Sequence, residues 1–487
     1  MSRMPKEIWD GIKKGLPEVP TTDKSSKPIP ELLRVIEMCL DDRVEFFDEA
    51  VKLAKFVYDS NPCLELKNWY SSVCFDAKKW EEAYNISIEL MRDVPCQGTF
   101  FNASKAAYKF AKLDEAEHFI KTAIMLEPEN KTQLMDLAVC VVSSGRFDEG
   151  FDILNSIPKE SLDERDRVAL DFNRGWHEIR KGNFIKGMKL VHEGRKIKVW
   201  GNNTFEYPKP LWDGTTYPGK TILIVGEGGI GDEIINARFS KIIKDRGMNC
   251  VMSSVHKNTS MLSRINTLDK VVDLKQVTDK NHPEYFIDYD YWIPCMDIVS
   301  ALNIDINEIP TDPYITPLTE YVDKWSKIIP NNNKLKVGFR WAGNSLYELE
   351  LYRTVPVEKY IKLSERYDFD AYSLQRDDGV EQLPSNSKII PLHDQLGNLE
   401  DAIGAIANLD LVITSCTSIA HLASAMGKET WVMTPILPYY IWTTPGDTSK
   451  WYNNTRLYRQ TKWNSWSAAF DLLEPDFKNK VDSWNLK

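Results

Sequence analysis

A four-residue pattern recurs through the first 200 residues, and it constrains the fold more than any other feature of the chain. Phe47-Asp-Glu-Ala50, Trp80-Glu-Glu-Ala83, Leu113-Asp-Glu-Ala116 and Phe147-Asp-Glu-Gly150 each place two acids between a bulky residue and a small one. Phe184-Ile-Lys-Gly187 keeps the bulky and small ends. The small residues fall 33, 33, 34 and 37 positions apart, and Pro62, Pro95 and Pro128 each follow the first three by 12. A small residue lets two helices pack closely, and proline cannot continue a helix. A unit of this length cannot bury its own apolar face, so its neighbours must stack on it. The spacing predicts a helical solenoid over residues 31–198, whose last two units drift where it meets another domain. Residues 1–30, with Pro5, Pro17, Pro20, Pro28 and Pro30, read as a loose arm ahead of it.

A period near 34 with this residue pattern resembles the tetratricopeptide repeat (TPR). Such a stack offers a concave surface to a partner. It serves equally as a rigid spacer or a dimer interface, so a homo-oligomer stays open. The chain is 487 residues long, room for about three domains. Its formal charge of −10 argues against a generic nucleic-acid coat. One basic segment runs against that balance: Arg180, Lys181, Lys186, Lys189, Arg195, Lys196 and Lys198. It reads as a solvated helical face or as a local nucleic-acid patch. The eight cysteines are scattered without a C-x-x-C pair, as expected of reduced thiols in a cytoplasmic protein. No signal-peptide core and no run of 18 apolar residues is present, so no membrane insertion is expected.

A connector rich in proline, residues 199–220, leads to a different texture. Short apolar runs alternate with amphipathic ones: Thr221–Val225 (strand), Glu233–Ile243 (helix), Asn249–Ser254 (strand), Asn258–Ile265 (helix), Lys270–Asp273 and Tyr289–Ile293 (strands). After Pro330 the alternation restarts. Strands are expected at Lys336–Trp341, Phe369–Leu374, Lys388–Ile390, Asp410–Thr414 and Glu429–Met433, and helices at Pro356–Arg366, Leu399–Ala407 and Thr417–Met426. This predicts two α/β units, 199–330 and 331–487, each a parallel sheet covered by helices. Tandem units of this kind hold ligands in the cleft outside the carboxyl ends of their strands.

Three strand ends carry candidate chemistry. The first is Gly226-Glu-Gly-Gly-Ile-Gly-Asp232, in which Gly228, Gly229 and Gly231 form a turn entering a helix. Glycines let the backbone approach a ligand, and a helix N-terminus suits phosphate. Asp232 stands at the mouth as a candidate base or as a helix cap. The second is Thr414-Ser-Cys-Thr-Ser-Ile-Ala-His421, where Thr417, Ser418 and His421 share a helix face. These residues suit a diphosphate, and a buried structural histidine is the competing reading. The third is Trp341-Ala-Gly-Asn344 with Arg353, a residue type that pairs with phosphate or simply forms a salt bridge. No metal cluster, G-x-S-x-G elbow or Walker A pattern is present. Gly226, Gly228 and Gly231 match G-x-G-x-x-G, but the second strand ends Ser253-Ser-Val-His256 without the acid that holds a dinucleotide ribose. An NAD-dependent oxidoreductase is therefore disfavoured.

The order of short segments carries a further resemblance. Pro210-Leu-Trp-Asp-Gly214, Gly229-Ile-Gly-Asp232, Trp341-Ala-Gly-Asn344, Arg353-Thr-Val-Pro356 and Tyr372-Ser-Leu-Gln375 come in sequence. Asn408-Leu-Asp-Leu-Val-Ile-Thr414, Ala420-His-Leu-Ala423, Gly427-Lys428 and Trp451-Tyr452 follow. Residues 31–460 resemble bacterial TPR proteins whose catalytic half is similar to heptosyltransferases and, more distantly, to protein O-GlcNAc transferases. The resemblance implies a GT-B fold and inverting, metal-independent glycosyl transfer from a nucleotide sugar, with no cofactor. It implies Asp232 as base and Arg353, Thr417, Ser418 and His421 as donor-phosphate ligands, with Trp341 and Asn344 beside them. The implied acceptor is a protein, a glycan or a hydroxymethylated DNA base. Two positions depart from the pattern: Cys416 stands where an Asp is usual, and Gly228 where a Gln is usual. These departures keep a repeat adaptor without catalysis as the alternative.

Overall fold

The structure is a computed structural model and describes residues 36, 40, 46–201, 205–255 and 258–486. The expected arm over residues 1–30 lies outside the described residues. The chain divides into two compact units, Met1–Cys140 and Val141–Lys487.

The first unit is helical throughout its described part. Helices α1 (Phe47–Ser60), α2 (Leu64–Asp76), α3 (Trp80–Asp93), α4 (Gln97–Lys109) and α5 (Leu113–Leu126) follow one another, and α6 (Gln133–Ser143) runs across the division. The recurring pattern opens α1, α3 and α5. Its acids occupy the first turn, where the helix dipole favours negative charge. The second acid also has a fixed partner: Tyr70 donates to Glu82, and Tyr84 to Glu115 at 2.5 Å. The small residues Ala50, Ala83 and Ala116 are completely enclosed between helices. Pro62, Pro95 and Pro128 stand two residues beyond the ends of α1, α3 and α5. The solenoid is thus TPR-like, as the period predicts.

The second unit begins with more of the same. Helices α7 (Phe147–Ser156) and α9 (Phe184–Glu193) open on the pattern, with α8 (Glu164–Arg180) between them. Here the small residue is glycine for a measurable reason. A Cβ on Gly187 would stand 2.8 Å from the Gly175 carbonyl of α8, and one on Gly175 2.9 Å from the Gly187 carbonyl. The two backbones touch.

Two parallel sheets follow. The first has strand order β3-β2-β1-β4, from β1 (Thr221–Val225), β2 (Asn249–Ser254), β3 (Lys270–Asp273) and β4 (Tyr291–Pro294). The second has order β10-β9-β8-β5-β6-β7, from β5 (Lys336–Arg340), β6 (Asp370–Ser373), β7 (Ile390–Pro391), β8 (Leu411–Ser415), β9 (Thr430–Thr434) and β10 (Thr455–Arg459). Alternate residues of β1 enter different cores: Ile222 and Ile224 join one cluster, Leu223 and Val225 another. In the second sheet Val412 joins the first of these, while Leu411 and Ile413 join a third. Both faces of each sheet are therefore buried, which is why the strands read as continuous apolar runs. The cluster holding Ile222 and Val412 also contains Phe184, Met188 and Val191 of α9. One apolar core joins both Rossmann-like halves to the last repeat.

The structure corrects several expected boundaries. The helix expected at Glu233–Ile243 begins earlier and breaks in two, α10 (Ile230–Ala237) and α11 (Ser240–Asp245). Arg238 stands at the break and is the cause. Its guanidinium is buried, donates to the carbonyls of Pro310, at 3.1 Å, and Trp451, and covers the Tyr452 ring at 4.2 Å. Helix α12 (Thr259–Leu262) is shorter than expected, and β4 starts two residues late. After α13 (Lys275–Thr278) and α14 (Ile298–Leu302), helix α15 (Thr319–Ser326) precedes the second half and packs on its α18 (Leu399–Ala407). Helices α16 (Glu350–Arg353), α17 (Val357–Arg366) and α19 (Ser418–Ala425) carry the second half's candidate loops. Helices α13 to α16, strand β10 and helix α20 (Ser467–Asn485) were not anticipated. Strand β10, Thr455-Arg-Leu-Tyr-Arg459, carries two arginines at the edge of the sheet. Helix α20 carries Pro475 in its interior, which reads in sequence as a breaker.

Candidate active site

The glycine turn leaves β1 and enters α10. Gly228 sits at φ +74°, a conformation costly for any other residue, and a Cβ there would lie 2.5 Å from Asp232 Oδ2. Glycine at the departed position is thus what lets the carboxylate stand where it does. Asp232 caps the helix and also faces the cleft. Its Oδ2 accepts the Gly229 N–H at 2.7 Å, a cap, and its Oδ1 accepts the Tyr439 hydroxyl at 2.6 Å. The carboxyl pKa is raised: burial pushes it up, Tyr439 and Gly229 hold it down, and the carboxylates of Glu227 and Glu233 add to the rise.

Both neighbouring glutamates are structural. Glu233 is fully buried and accepts from Ser254 Oγ at 2.8 Å, the Val255 N–H at 2.6 Å and Asn258 Nδ2 at 3.0 Å. It occupies the end of β2, where a dinucleotide ribose would need room. Glu227 and Asp297 are held together by Arg195, whose guanidinium donates to Glu227 Oε2 at 3.0 Å and to Asp297 Oδ1 at 2.9 Å.

Across the cleft, α19 begins at Thr417 with no side chain capping its first N–H groups. Thr417 instead lies 3.4 Å from the Thr414 hydroxyl. His421, one turn in, is buried against Trp442, rings 5.3 Å apart and 8° from parallel. Burial lowers its pKa to about 3, and Arg238 and Arg353 push the same way, so the ring is neutral at physiological pH. Among the described residues its Nδ1 has no hydrogen-bond partner. The two halves meet here: a Cβ on Gly231 would lie 3.0 Å from the His421 ring and 3.6 Å from Ser418 Cα.

Arg353 closes α16. It pairs with Glu350 at 2.6 Å, donates to the Cys416 carbonyl at 2.8 Å and lies 4.3 Å over the Tyr347 ring. This arginine forms the salt bridge that was one reading of it, and it also lines the cleft. Cys416 is buried, and burial raises its thiol pKa, so the residue standing in for a carboxylate carries no charge.

A cavity of about 640 Å³ joins these groups, with Asp232 and Tyr439 on one side and Arg353, Ser418 and His421 on the other. Gly229, Gly231, Asn344 and Thr417 also line it. Gly228 stands behind Asp232, and Trp341 does not reach the cavity. That expectation for Trp341 is corrected: its indole is fully buried in the core of the second half and donates to the Gly379 carbonyl at 3.0 Å. Three site residues escaped the sequence. Tyr439 lies 207 positions from its partner. Arg340 looked like the polar end of a strand, yet it lines the cavity. Arg195 belonged to the basic segment. Elsewhere the segment is the solvated face: Lys181, Lys186, Lys189, Lys196 and Lys198 are exposed, Lys186 pairing with Glu178 and Lys196 with Glu193 at the surface, while Arg180 covers the Phe147 ring at 3.8 Å.

Among the described residues no group of His, Cys, Asp and Glu could hold a metal ion, and no helix is long and apolar enough to cross a membrane. No family model matches the chain, and no curated protein matches it. Among solved structures, the chain is similar to the ADP-heptose LPS heptosyltransferase II of E. coli at 12% identity, covering 53% of this chain and 98% of that one, with a TM-score of 0.37. It is similar to a family 9 glycosyl transferase of Veillonella parvula at 10% identity, covering 55% and 91%, with a TM-score of 0.37. It is also similar to YrrB, a TPR protein with an unusual peptide-binding site, at 17% identity, covering 38% and 92%, with a TM-score of 0.25.

Proposed function

We propose that this protein is an inverting glycosyltransferase that moves a sugar from a nucleotide diphosphate to an acceptor hydroxyl without a metal ion. The observation that carries the reading is the cavity wall itself. A carboxylate with a raised pKa faces, across one cleft, two guanidinium groups and an uncapped helix N-terminus. A general base works best with a pKa drawn toward the working pH. Cations and helix N–H groups suit a diphosphate that gains charge as it leaves.

The step is a single in-line displacement. Asp232 takes the proton of the acceptor O–H as that oxygen attacks the anomeric carbon. The bond from this carbon to the diphosphate oxygen breaks with its electron pair, and the nucleoside diphosphate departs against Arg353 and the start of α19. One displacement inverts the anomeric centre. Neutral His421 has no charge to offer and contributes a hydrogen bond. The acceptor is a protein or glycan delivered by the repeats; a DNA base is disfavoured by the formal charge of −10. The test is a thermal-shift screen against nucleotide sugars, since a ligand that binds the folded state raises its stability. It is followed by turnover of the best donor in EDTA. Wild type is expected to be active and Asp232→Asn to lose roughly 10²–10⁴-fold while still binding the donor. A stabilising donor that is neither transferred nor hydrolysed would favour the adaptor instead.

A further inference from the structure

The two guanidinium groups of the cleft are not in the same electrostatic position. Arg353 already has a carboxylate, Glu350, at 2.6 Å, and a carbonyl, that of Cys416, at 2.8 Å. Arg340 has no carboxylate in hydrogen-bond contact among the described residues. Among the described residues its only acceptors are two carbonyls, Ala342 at 3.0 Å and Leu374 at 3.2 Å. A guanidinium carries five N–H donors. Two of them bind those carbonyls and fix the plane of the group; the other three have no protein acceptor. The nearest acids are otherwise engaged: Asp378 accepts the Ser345 N–H at 2.8 Å, and Asp377 lies 3.6 Å from Arg376.

Asp377 and Glu350 act on Arg340 only at a distance, and a half-buried cation without a carboxylate in contact is costly unless something supplies one. We infer that Arg340 is the principal cationic ligand of the donor's diphosphate, and that Arg353 acts mainly as a strut holding the Cys416 segment ahead of α19. The inference rests on the donor reading proposed above and assigns the charge within it. A planar fork on two fixed carbonyl bonds is pre-set for a bidentate phosphate contact. The direction of its pKa agrees: burial lowers Arg340 to about 10, and an anion against it reverses that loss. Placing the free charge on Arg340 also gives Glu350 a purpose. By neutralising Arg353 it leaves one net cation beside the helix start, enough to hold the diphosphate without trapping the product.

The experiment is calorimetric titration of the full chain with ADP, GDP, UDP, CDP and inorganic pyrophosphate. Wild type is compared with Arg340→Met, Arg340→Gln and Arg353→Met, each checked for folding by circular dichroism. Wild type is expected to bind at least one of these probes. Both Arg340 variants should weaken it at least ten-fold and flatten its salt dependence, and Arg353→Met should weaken it less. If Arg340→Met and Arg340→Gln fail to fold, Arg340→Lys is used, which keeps the charge but not the fork and should lose several-fold. Arg340 variants that bind like wild type, or an Arg353 variant weaker than both, would overturn the inference and leave the donor reading standing. A wild type that binds no nucleotide and no pyrophosphate would overturn both.

Discussion

At the scale of single residues the site turns on how Asp232 is held. Two donors stabilise its ionised form, Tyr439 O–H at 2.6 Å and Gly229 N–H at 2.7 Å, while burial and two neighbouring carboxylates oppose it and prevail. A base works only when ionised, so turnover should fall as pH drops through the Asp232 pKa. Tyr439→Phe removes a donor that favours the ionised form. The pKa must then rise further, and the acidic limb of kcat/KM should move to higher pH with the plateau little changed. A hydrogen bond to a charged group is worth about 1.5–3 kcal/mol, so the shift should be about 1–2 pH units. A limb that stays in place would mean that another group titrates. The same pair shows what the sequence withheld. Asp232 was legible because it ends a glycine turn after an apolar strand; Tyr439 was not, because a contact across 207 residues leaves no local pattern.

At the scale of elements one buried ion cluster, besides the shared apolar core, ties the last helical repeat to the first α/β half. Arg195 lies in a short 3-10 turn, Gly194–Ile197, that follows α9. It ties Glu227 of the glycine turn to Asp297, with the two acids only 2% and 4% exposed. Removing one partner of a buried ion cluster strands the others. Arg195→Ala is expected to destabilise the unit by about 3–5 kcal/mol in urea unfolding and to lower turnover by loosening the turn that carries Asp232. The triple change Arg195→Met, Glu227→Gln, Asp297→Asn should recover most of that stability, since it leaves no stranded charge. In sequence Arg195 read as one more cation in a basic run. Charge runs look alike whether they face water or a buried acid, and only the fold separates them. The strands were legible for the opposite reason: burial on both faces makes β1 an apolar run, and β2 and β3 carry apolar centres between polar ends; the bounds of all three match the expected ones. Helix α10 was misjudged at its end because Arg238, polar in sequence, is a buried anchor among carbonyls and aromatic rings.

At the scale of the whole molecule the repeat period and the strand–helix alternation were both readable, but not where one compact unit gives way to the next. The pattern continues unbroken from Phe47 to Gly187, whereas the compact units part within α6, at Cys140. The reason is in the cores. Phe184, Met188 and Val191 of the last repeat belong to the cluster that also holds Ile222 and Val412 of the two sheets, while Ala103, Ala107 and Ala116 belong to a separate one. The last repeat thus shares its apolar interior with the α/β halves, and sequence periodicity carries no trace of such sharing. Stability should divide accordingly. Repeat arrays couple mainly between neighbours, so a chain with separate cores need not unfold in one step. Scanning calorimetry of the full chain is expected to resolve two transitions. Every residue lining the cleft, from Gly229 to Tyr439, lies in Val141–Lys487. A nucleoside diphosphate that binds there can raise only the transition of that unit, by about 2.7 kcal/mol at one hundred times its Kd. One transition that shifts as a whole would show that the early repeats and the α/β halves unfold together, and that the partition of cores does not govern their stability.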